Sequence, residues 1–338
     1  MGGVLVSLAV LVGAARAEYP EEIFWQKRFS AFTIPAPSPG KLPPVLGDVR
    51  LYRIKKGDTL MDIARLYGLG YNEIVDANPG LDPWVPPPGA TILLPLQWTP
   101  PCCSYDGIVV NIPEMRLFYY TSAGGGMTEV QTYPVGLGRD DWQTPSGRFK
   151  VIGKTVNPQW NIPESIRQEH IAERNDDRTF IPGGAPDNPL GKYRLELTLP
   201  AYRIHGTDIP WGVGMQVSHG CVRLYPEDIE HLFPQVPVGV SGEFTYQTVK
   251  LGQRGGQVYV EAHEDIYGKT PAIFREAMTA LERRGVSGID TGKLERGLDE
   301  SGGIPFAVTG GTRVFGQSAR RTGDDGAADP HQGQARDG

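Results

Sequence analysis

The sequence predicts an α+β multidomain chain, with a small βααβ module ahead of a mostly-β domain. Three observations carry this. Thirty prolines and 44 glycines among 338 residues leave little room for long helices. The window from Leu51 to Leu94 switches from strand to helical periodicity and back. From Gly107 onward, short apolar or alternating runs recur between turn residues. A chain of this length suggests two or three domains.

The chain begins with an apolar run, Val4 to Val12, that ends in Gly13-Ala14-Ala15-Arg16-Ala17, a small-residue cleavage pattern. Residues 1–17 therefore read as a secretory signal peptide, although the usual basic residue before the run is missing. Elsewhere there is no apolar stretch of about 18 residues, so the rest is not expected to cross a membrane. Residues 18–47 carry Pro35, Pro37, Pro39, Pro43 and Pro44 and read as a semi-rigid extended linker.

Residues 48–97 look autonomous. A strand at Leu51–Ile54 leads through Gly57-Asp58 to a helix with Thr59 as N-cap and Asp62 at its third position. Leu60, Ile63, Ala64 and Tyr67 form one apolar face, and Gly68 and Gly70 stop the helix. A second helix spans Tyr71–Asn78 and ends at Pro79-Gly80, and Thr91–Leu94 closes as a strand. Residues 98–106 read as a short hinge bearing the adjacent Cys102 and Cys103, which pair with each other only under strain.

Strands are expected at Gly107–Ile112, Arg116–Tyr120, Val130–Val135, Arg148–Ile152, Arg194–Leu199 and Tyr202–His205. Residues 154–190 lack a strand pattern. They read as a lid or substrate groove, with Trp160 and Trp211 as candidate walls. A helix is expected at Tyr225–Phe233, with Pro226 in its first turn and His231 at the surface. Thr245–Val249 and Gln257–Ala262 suggest a hairpin, followed by a helix over Thr270–Arg283. Residues 284–338 read as a largely disordered tail, since Gly316–Gly338 has no Ile, Leu, Val, Met or aromatic residue.

Chemistry concentrates near one thiol. His205 precedes Cys221 by 16 positions, and Ser218, His219, Gly220 and Arg223 crowd the cysteine. An imidazole that takes a thiol proton, so that sulfur attacks a carbonyl, suits acyl transfer through a thioester. Such an activated thiolate is expected to react with thiol reagents even at mildly acidic pH. Gly206 and Gly220 allow close approach of substrate and leave N–H groups for an oxyanion. A zinc site built from His205, His219 and Cys221 is the rival, but it needs a fourth ligand or water and lacks a Cys-x-x-Cys pair. The thiol carries the chemistry, so no metal and no organic cofactor are expected. Arg223 suits either a substrate carboxylate or solvent. Asp208 lies close enough in sequence to orient His205, but a backbone carbonyl is the preferred partner.

Lys plus Arg number 33 against 39 Asp plus Glu, a net charge of −6. No basic patch with interleaved aromatics is present, which argues against nucleic acid. The acidic balance gives no reason to cling to an anionic membrane.

The run His205-Gly206-Thr207 followed by Ser218-His219-Gly220-Cys221-Val222-Arg223 resembles the signature of the L,D-transpeptidase catalytic (YkuD) family. Gly136-Leu137-Gly138, Thr144 to Gly147 and Gly184 to Gly191 resemble further landmarks of it. The 48–97 window is similar to a LysM module at Tyr52, Gly57 to Leu60, Ile63-Ala64, Asn72, Ala77 to Pro79 and Gly89 to Pro95. The resemblance implies a sandwich-like catalytic domain of mixed sheets over 107–246, with a β/α extension over 247–283. It implies Cys221 as nucleophile and His205 as base, its ring held by the Gly206 carbonyl. His219 and Ser218 shape the site, the Gly220–Cys221 backbone contributes to an oxyanion hole, and Arg223 helps with substrate or site structure; apart from the resemblance, Trp211 and Ser218 are candidate substrate contacts. It also implies glycan contacts from Gly57, Asp58, Thr59, Leu60, Asn78 and Pro79. The implied partner is periplasmic peptidoglycan, the donor being a stem tetrapeptide. The implied acceptor is a diaminopimelate amine, the C-terminal lysine of an outer-membrane lipoprotein, or water.

Overall fold

The computed structural model describes residues 21–24, 29–38, 40–102, 105–270 and 272–309. The signal-peptide reading of residues 1–17, Cys103, and the segment Gly316–Gly338 lie outside the described residues.

A nine-stranded mixed sheet organises the molecule. Its strands run, in spatial order, Ser30–Pro35, Met127–Pro134, Arg116–Gly124, Gly107–Asn111, Ser241–Thr245, Gly147–Val156, Tyr193–Leu197, Arg203–His205 and Val222–Arg223. Two neighbouring pairs are parallel: Gly107–Asn111 with Ser241–Thr245, and Arg203–His205 with Val222–Arg223. The α+β multidomain class read from the sequence, with its mostly-β catalytic part, is what the structure shows.

Every residue of Gly107–Asn111 is buried, because both faces of the sheet are covered. Ile108 and Val110 point into a core with Leu117, Tyr119, Tyr133, Phe149, Leu195, Ile204 and Phe244. Val109, Phe118, Tyr120 and Val130 point the other way, into a core shared with Leu60, Ile63, Ala64, Leu69, Ile74 and Ile92. The LysM-like window supplies this second set. Its helix spans Leu60–Tyr67, capped by Thr59 accepting the Asp62 N–H and ended by left-handed Gly68. The second helix is Tyr71–Asp76, and the flanking strands Arg50–Arg53 and Thr91–Leu94 pair antiparallel.

That window does not stand apart from the sheet: its buried Leu60, Ile63, Ile74 and Ile92 belong to one cluster with Val109, Phe118 and Tyr120. Buried polar contacts pin it there. Arg65 pairs Glu227 through Nε and Nη2, each at 3.1 Å. Arg116 donates to both oxygens of Glu73 at 2.9 and 2.6 Å, and the Tyr71 N–H reaches the Val213 carbonyl at 3.0 Å. At Gly214, with φ of +84°, a Cβ would sit 2.2 Å from the Tyr71 nitrogen, so only glycine allows this approach.

Four further expectations need correction. The 18–47 segment is not simply a linker, because Ser30–Pro35 forms the edge strand beside Met127–Pro134. An edge strand tolerates the proline that ends it. The segment read as a hinge does not start as one, since Trp98 and Thr99 are buried and Thr99 is bonded to Glu261 and Lys250. The tail read from 284 onward is ordered to 309. The helix Thr291–Glu300 and strand Phe306–Ala307 join Val249–Arg254, Gln257–Ala262 and the helix Ile273–Arg283 around Val260, Leu281, Leu294 and Val308. The hairpin begins at Val249 rather than Thr245, which belongs to the large sheet.

Arg65 and Glu227 test this docking. Arg65→Ala leaves the Glu227 carboxylate buried without its bidentate partner, so unfolding in urea should show a loss of about 3–5 kcal/mol. Replacing both by Met and Leu should recover most of it. An unchanged midpoint in Arg65→Ala would mean that the window is not held in this way.

Candidate active site

His205 ends the strand Arg203–His205, and its neighbour Val222–Arg223 begins one residue after Cys221. The parallel register pairs Ile204 with Val222 and His205 with Arg223. Cys221 therefore adjoins the strand that lies beside His205. A gap of 16 residues in sequence thus becomes a step between adjacent strands.

His205 is buried, and its Nδ1 lies 2.7 Å from the Gly206 carbonyl oxygen. A carbonyl only accepts, so Nδ1 carries the proton and Nε2 keeps its lone pair. Burial, reinforced by the Arg223 charge, pushes the imidazole down to about 3. The Gly206 carbonyl, not Asp208, is the ring's partner, as preferred from the sequence.

Cys221 is half-buried. Its thiol faces the Ala201 carbonyl at 3.7 Å, and the Arg203 N–H also faces the sulfur. Ala201 holds φ of +68°, a left-handed conformation costing an alanine about 1 kcal/mol, in the turn that aims this carbonyl at the thiol. Burial pushes the Cys221 thiol up, with Arg223 and Arg203 opposing. At neutral pH the resting pair is therefore thiol and neutral imidazole. Burial at Cys221 thus works against the preformed thiolate expected from the sequence.

Gly220 has φ of +98°, and a Cβ there would lie 2.7 Å from a Tyr202 ring carbon. The Ser218 hydroxyl donates to the Cys221 carbonyl at 2.6 Å and accepts the Gly220 N–H at 3.1 Å. That bond corrects one expectation, because the Gly220 amide is already engaged. The Cys221 N–H makes no hydrogen bond among the described residues.

His219 faces away from the thiol chemistry. Its Nε2 donates to Glu169 Oε2 at 3.1 Å, with Arg139 Nη2 3.2 Å away. Its ring also meets Trp142 edge-on. His205, His219 and Cys221 do not converge as metal ligands. Among the described residues the acid–histidine cluster that does is Glu114, Glu261 and His263. There the Lys250 ammonium already bridges the carboxylates at 2.6 and 2.8 Å.

Several contributors escaped sequence reasoning. Glu169 lies on the helix Glu164–Arg174, inside the stretch read as a loop. Thr144 donates to the Gly220 carbonyl at 3.0 Å, and Tyr267 donates to Gly138 at 2.7 Å. The only signal was that Thr144 sits in one of the family landmarks. Tyr267 and Glu169 carried none. The 154–190 stretch does wall a cavity of about 400 Å³, lined by Trp160, Glu169, Arg178, Trp211, His219 and Arg223 among others. Arg223 Nε and Asp208 Oδ1 are buried there without a hydrogen-bond partner.

The LysM-like contact residues fare unevenly. Leu60 is fully buried in the core, Asp58 is spent on Tyr52 and the Lys55 N–H, and Asn78 bonds Ile74 and Leu93. These three side chains are committed to holding the module together. Gly57 and Pro79 are exposed, and Thr59 borders a cavity.

A thiol, a buried neutral imidazole and a spare backbone amide on a mixed sheet define an acyl-transfer enzyme of the cysteine type. The L,D-transpeptidase catalytic domain (YkuD) family matches residues 105–258, and the LysM domain matches residues 52–95. "Probable L,D-transpeptidase YcfS" of Escherichia coli K12 is 32% identical over 284 residues, covering 79% of this chain and 87% of that protein. "Probable L,D-transpeptidase ErfK/SrfK" of Salmonella typhimurium is 33% identical over 75% of this chain and 83% of its own. "Probable L,D-transpeptidase YbiS" of Escherichia coli K12 is 36% identical over 70% and 76%. The chain belongs to the L,D-transpeptidase family. No helix among the described residues is long and apolar enough to cross a membrane.

The raised thiol sets a measurable expectation. In a Cys102→Ser/Cys103→Ser background, alkylation by iodoacetamide should be slow at pH 6 and still rising near pH 9, past the ordinary thiol value of about 8.5. A rate already level at pH 6 would show a standing thiolate instead.

Proposed function

We propose that this L,D-transpeptidase works in the periplasm on a peptidoglycan stem tetrapeptide, with Cys221 as nucleophile and His205 as general base. His205 Nε2 takes the thiol proton while sulfur bonds to the carbonyl carbon of the diaminopimelate L-centre. The carbonyl oxygen becomes an oxyanion facing the Cys221 N–H. The carbon–nitrogen bond to D-alanine breaks, and the imidazolium returns the proton to the leaving amine. An acceptor amine then loses a proton to His205 and attacks the thioester, which releases the thiol. A neighbouring diaminopimelate amine gives a 3→3 cross-link, and the lysine of an outer-membrane lipoprotein gives an anchored lipoprotein.

The observation that carries this reading is the 2.7 Å contact from His205 Nδ1 to the Gly206 carbonyl, which leaves Nε2 as the free base on the strand next to Cys221. A base held neutral by burial stays competent well below the ordinary histidine value. The cavity ending at His219 and Arg223 is of a size that holds small ligands, and its mixed acids and arginines suit a zwitterionic stem.

Purified chain should release D-alanine from a disaccharide-tetrapeptide, and Cys221→Ala should release none. Mass spectrometry with and without an added acceptor amine identifies the second step. An amide to the amine is expected, while tripeptide alone in both cases would make the enzyme a carboxypeptidase. D-Alanine release by Cys221→Ala would remove the nucleophile.

A further inference from the structure

A second cavity, of about 500 Å³, lies where the LysM domain meets the catalytic domain. One wall holds Thr59, Asp62 and Trp84, and the other holds Thr207, Asp208 and Trp211. Trp84 and Trp211 are 50% and 53% exposed, although such large rings usually gain by burial. Each wall thus offers one open aromatic face and hydroxyl or carboxylate groups. Arg65, which also lines the cavity, is locked to Glu227, so the two walls keep a fixed spacing. Trp211 and Asp208 also line the first cavity, the one that ends at His219 and Arg223.

We propose that this interdomain groove is a composite glycan site, in which Trp84 of the LysM domain and Trp211 of the catalytic domain both stack on one strand of β-linked N-acetylhexosamines. Such sugars present apolar C–H faces suited to aromatic rings, with amide and hydroxyl edges suited to the polar groups of the groove. A glycan held here leaves its stem peptide at Trp211 and Asp208, the residues that line both cavities. The proposal rests on the peptidoglycan reading above and deepens it. The LysM domain does not tether the enzyme loosely to the wall but registers the strand so that a stem falls at Cys221.

The test is calorimetric binding of a peptide-free N-acetylglucosamine tetramer to the full chain. Trp211→Ala should weaken binding about tenfold, as should Trp84→Ala, although the two residues lie in different domains. Trp211→Phe, which keeps a ring, should restore most of the affinity. Thermal unfolding checks that each variant is folded, which the exposure of both rings favours. Loss in Trp84→Ala with parental binding in Trp211→Ala would confine the glycan to the LysM domain and overturn the proposal. Failure of the parent chain to bind the tetramer would overturn it as well. D-Alanine release from a sugar-free tetrapeptide by the same preparation shows separately whether the acyl-transfer reading stands.

Discussion

One hydrogen bond, from the buried His205 ring to the carbonyl of the next residue, decides how this site works. It satisfies the one ring nitrogen that would otherwise be an unpaired buried donor, and it fixes the tautomer without a charged partner. A carboxylate in that place would hold the imidazole charged, whereas a neutral carbonyl lets burial keep it neutral. The neighbouring Arg223 works in the same direction, since its charge disfavours an imidazolium and favours a negative sulfur. The result is a pair that stores no charge at rest. That demands a preset environment: left-handed Ala201 aims a carbonyl at the thiol, left-handed Gly220 packs on Tyr202, and Ser218 closes the loop.

Sequence reading succeeded where local rules decide structure. Thr59 caps the first LysM helix and Gly68 ends it, because cap chemistry and φ preference act over a few residues. The spacing of His205 and Cys221 was legible because the motif itself is local to two strands. It failed where partners are distant. Nothing around Ser30–Pro35 announces that Met127–Pro134 needs an edge neighbour, and prolines nearby pointed to an extended linker. Thr99 reads as a hinge residue until the buried Glu261 and Lys250, some 150 positions later, are placed beside it. Glu169 and Tyr267 reach the active-site loop only through the fold. The thiol's protonation was not legible for another reason, because a motif shows which groups meet but not how far burial moves their protons.

The domains are less separable than their sequence signatures suggest. Val109, Phe118 and Tyr120 face the LysM helices, so the large sheet is finished only when both domains are present. The C-terminal unit is joined in the same spirit by the buried Glu114–Lys250–Glu261 network. Such a network gives direction more than strength, since an ion pair out of water gains little net stability and punishes any misfit. Fixed geometry is what a wall enzyme needs if its polymer and its peptide bond are to be presented together.

The most direct test is the protonation of the His205 ring. In chain carrying ¹⁵N-labelled histidine, the imidazole nitrogens are followed by NMR from pH 8 downward, with His205→Gln assigning the signal. A single neutral form protonated at Nδ1, unchanged to below pH 5, is the predicted result. A ring that becomes imidazolium near the ordinary value of about 6.5, or that carries its neutral proton on Nε2, would contradict the account.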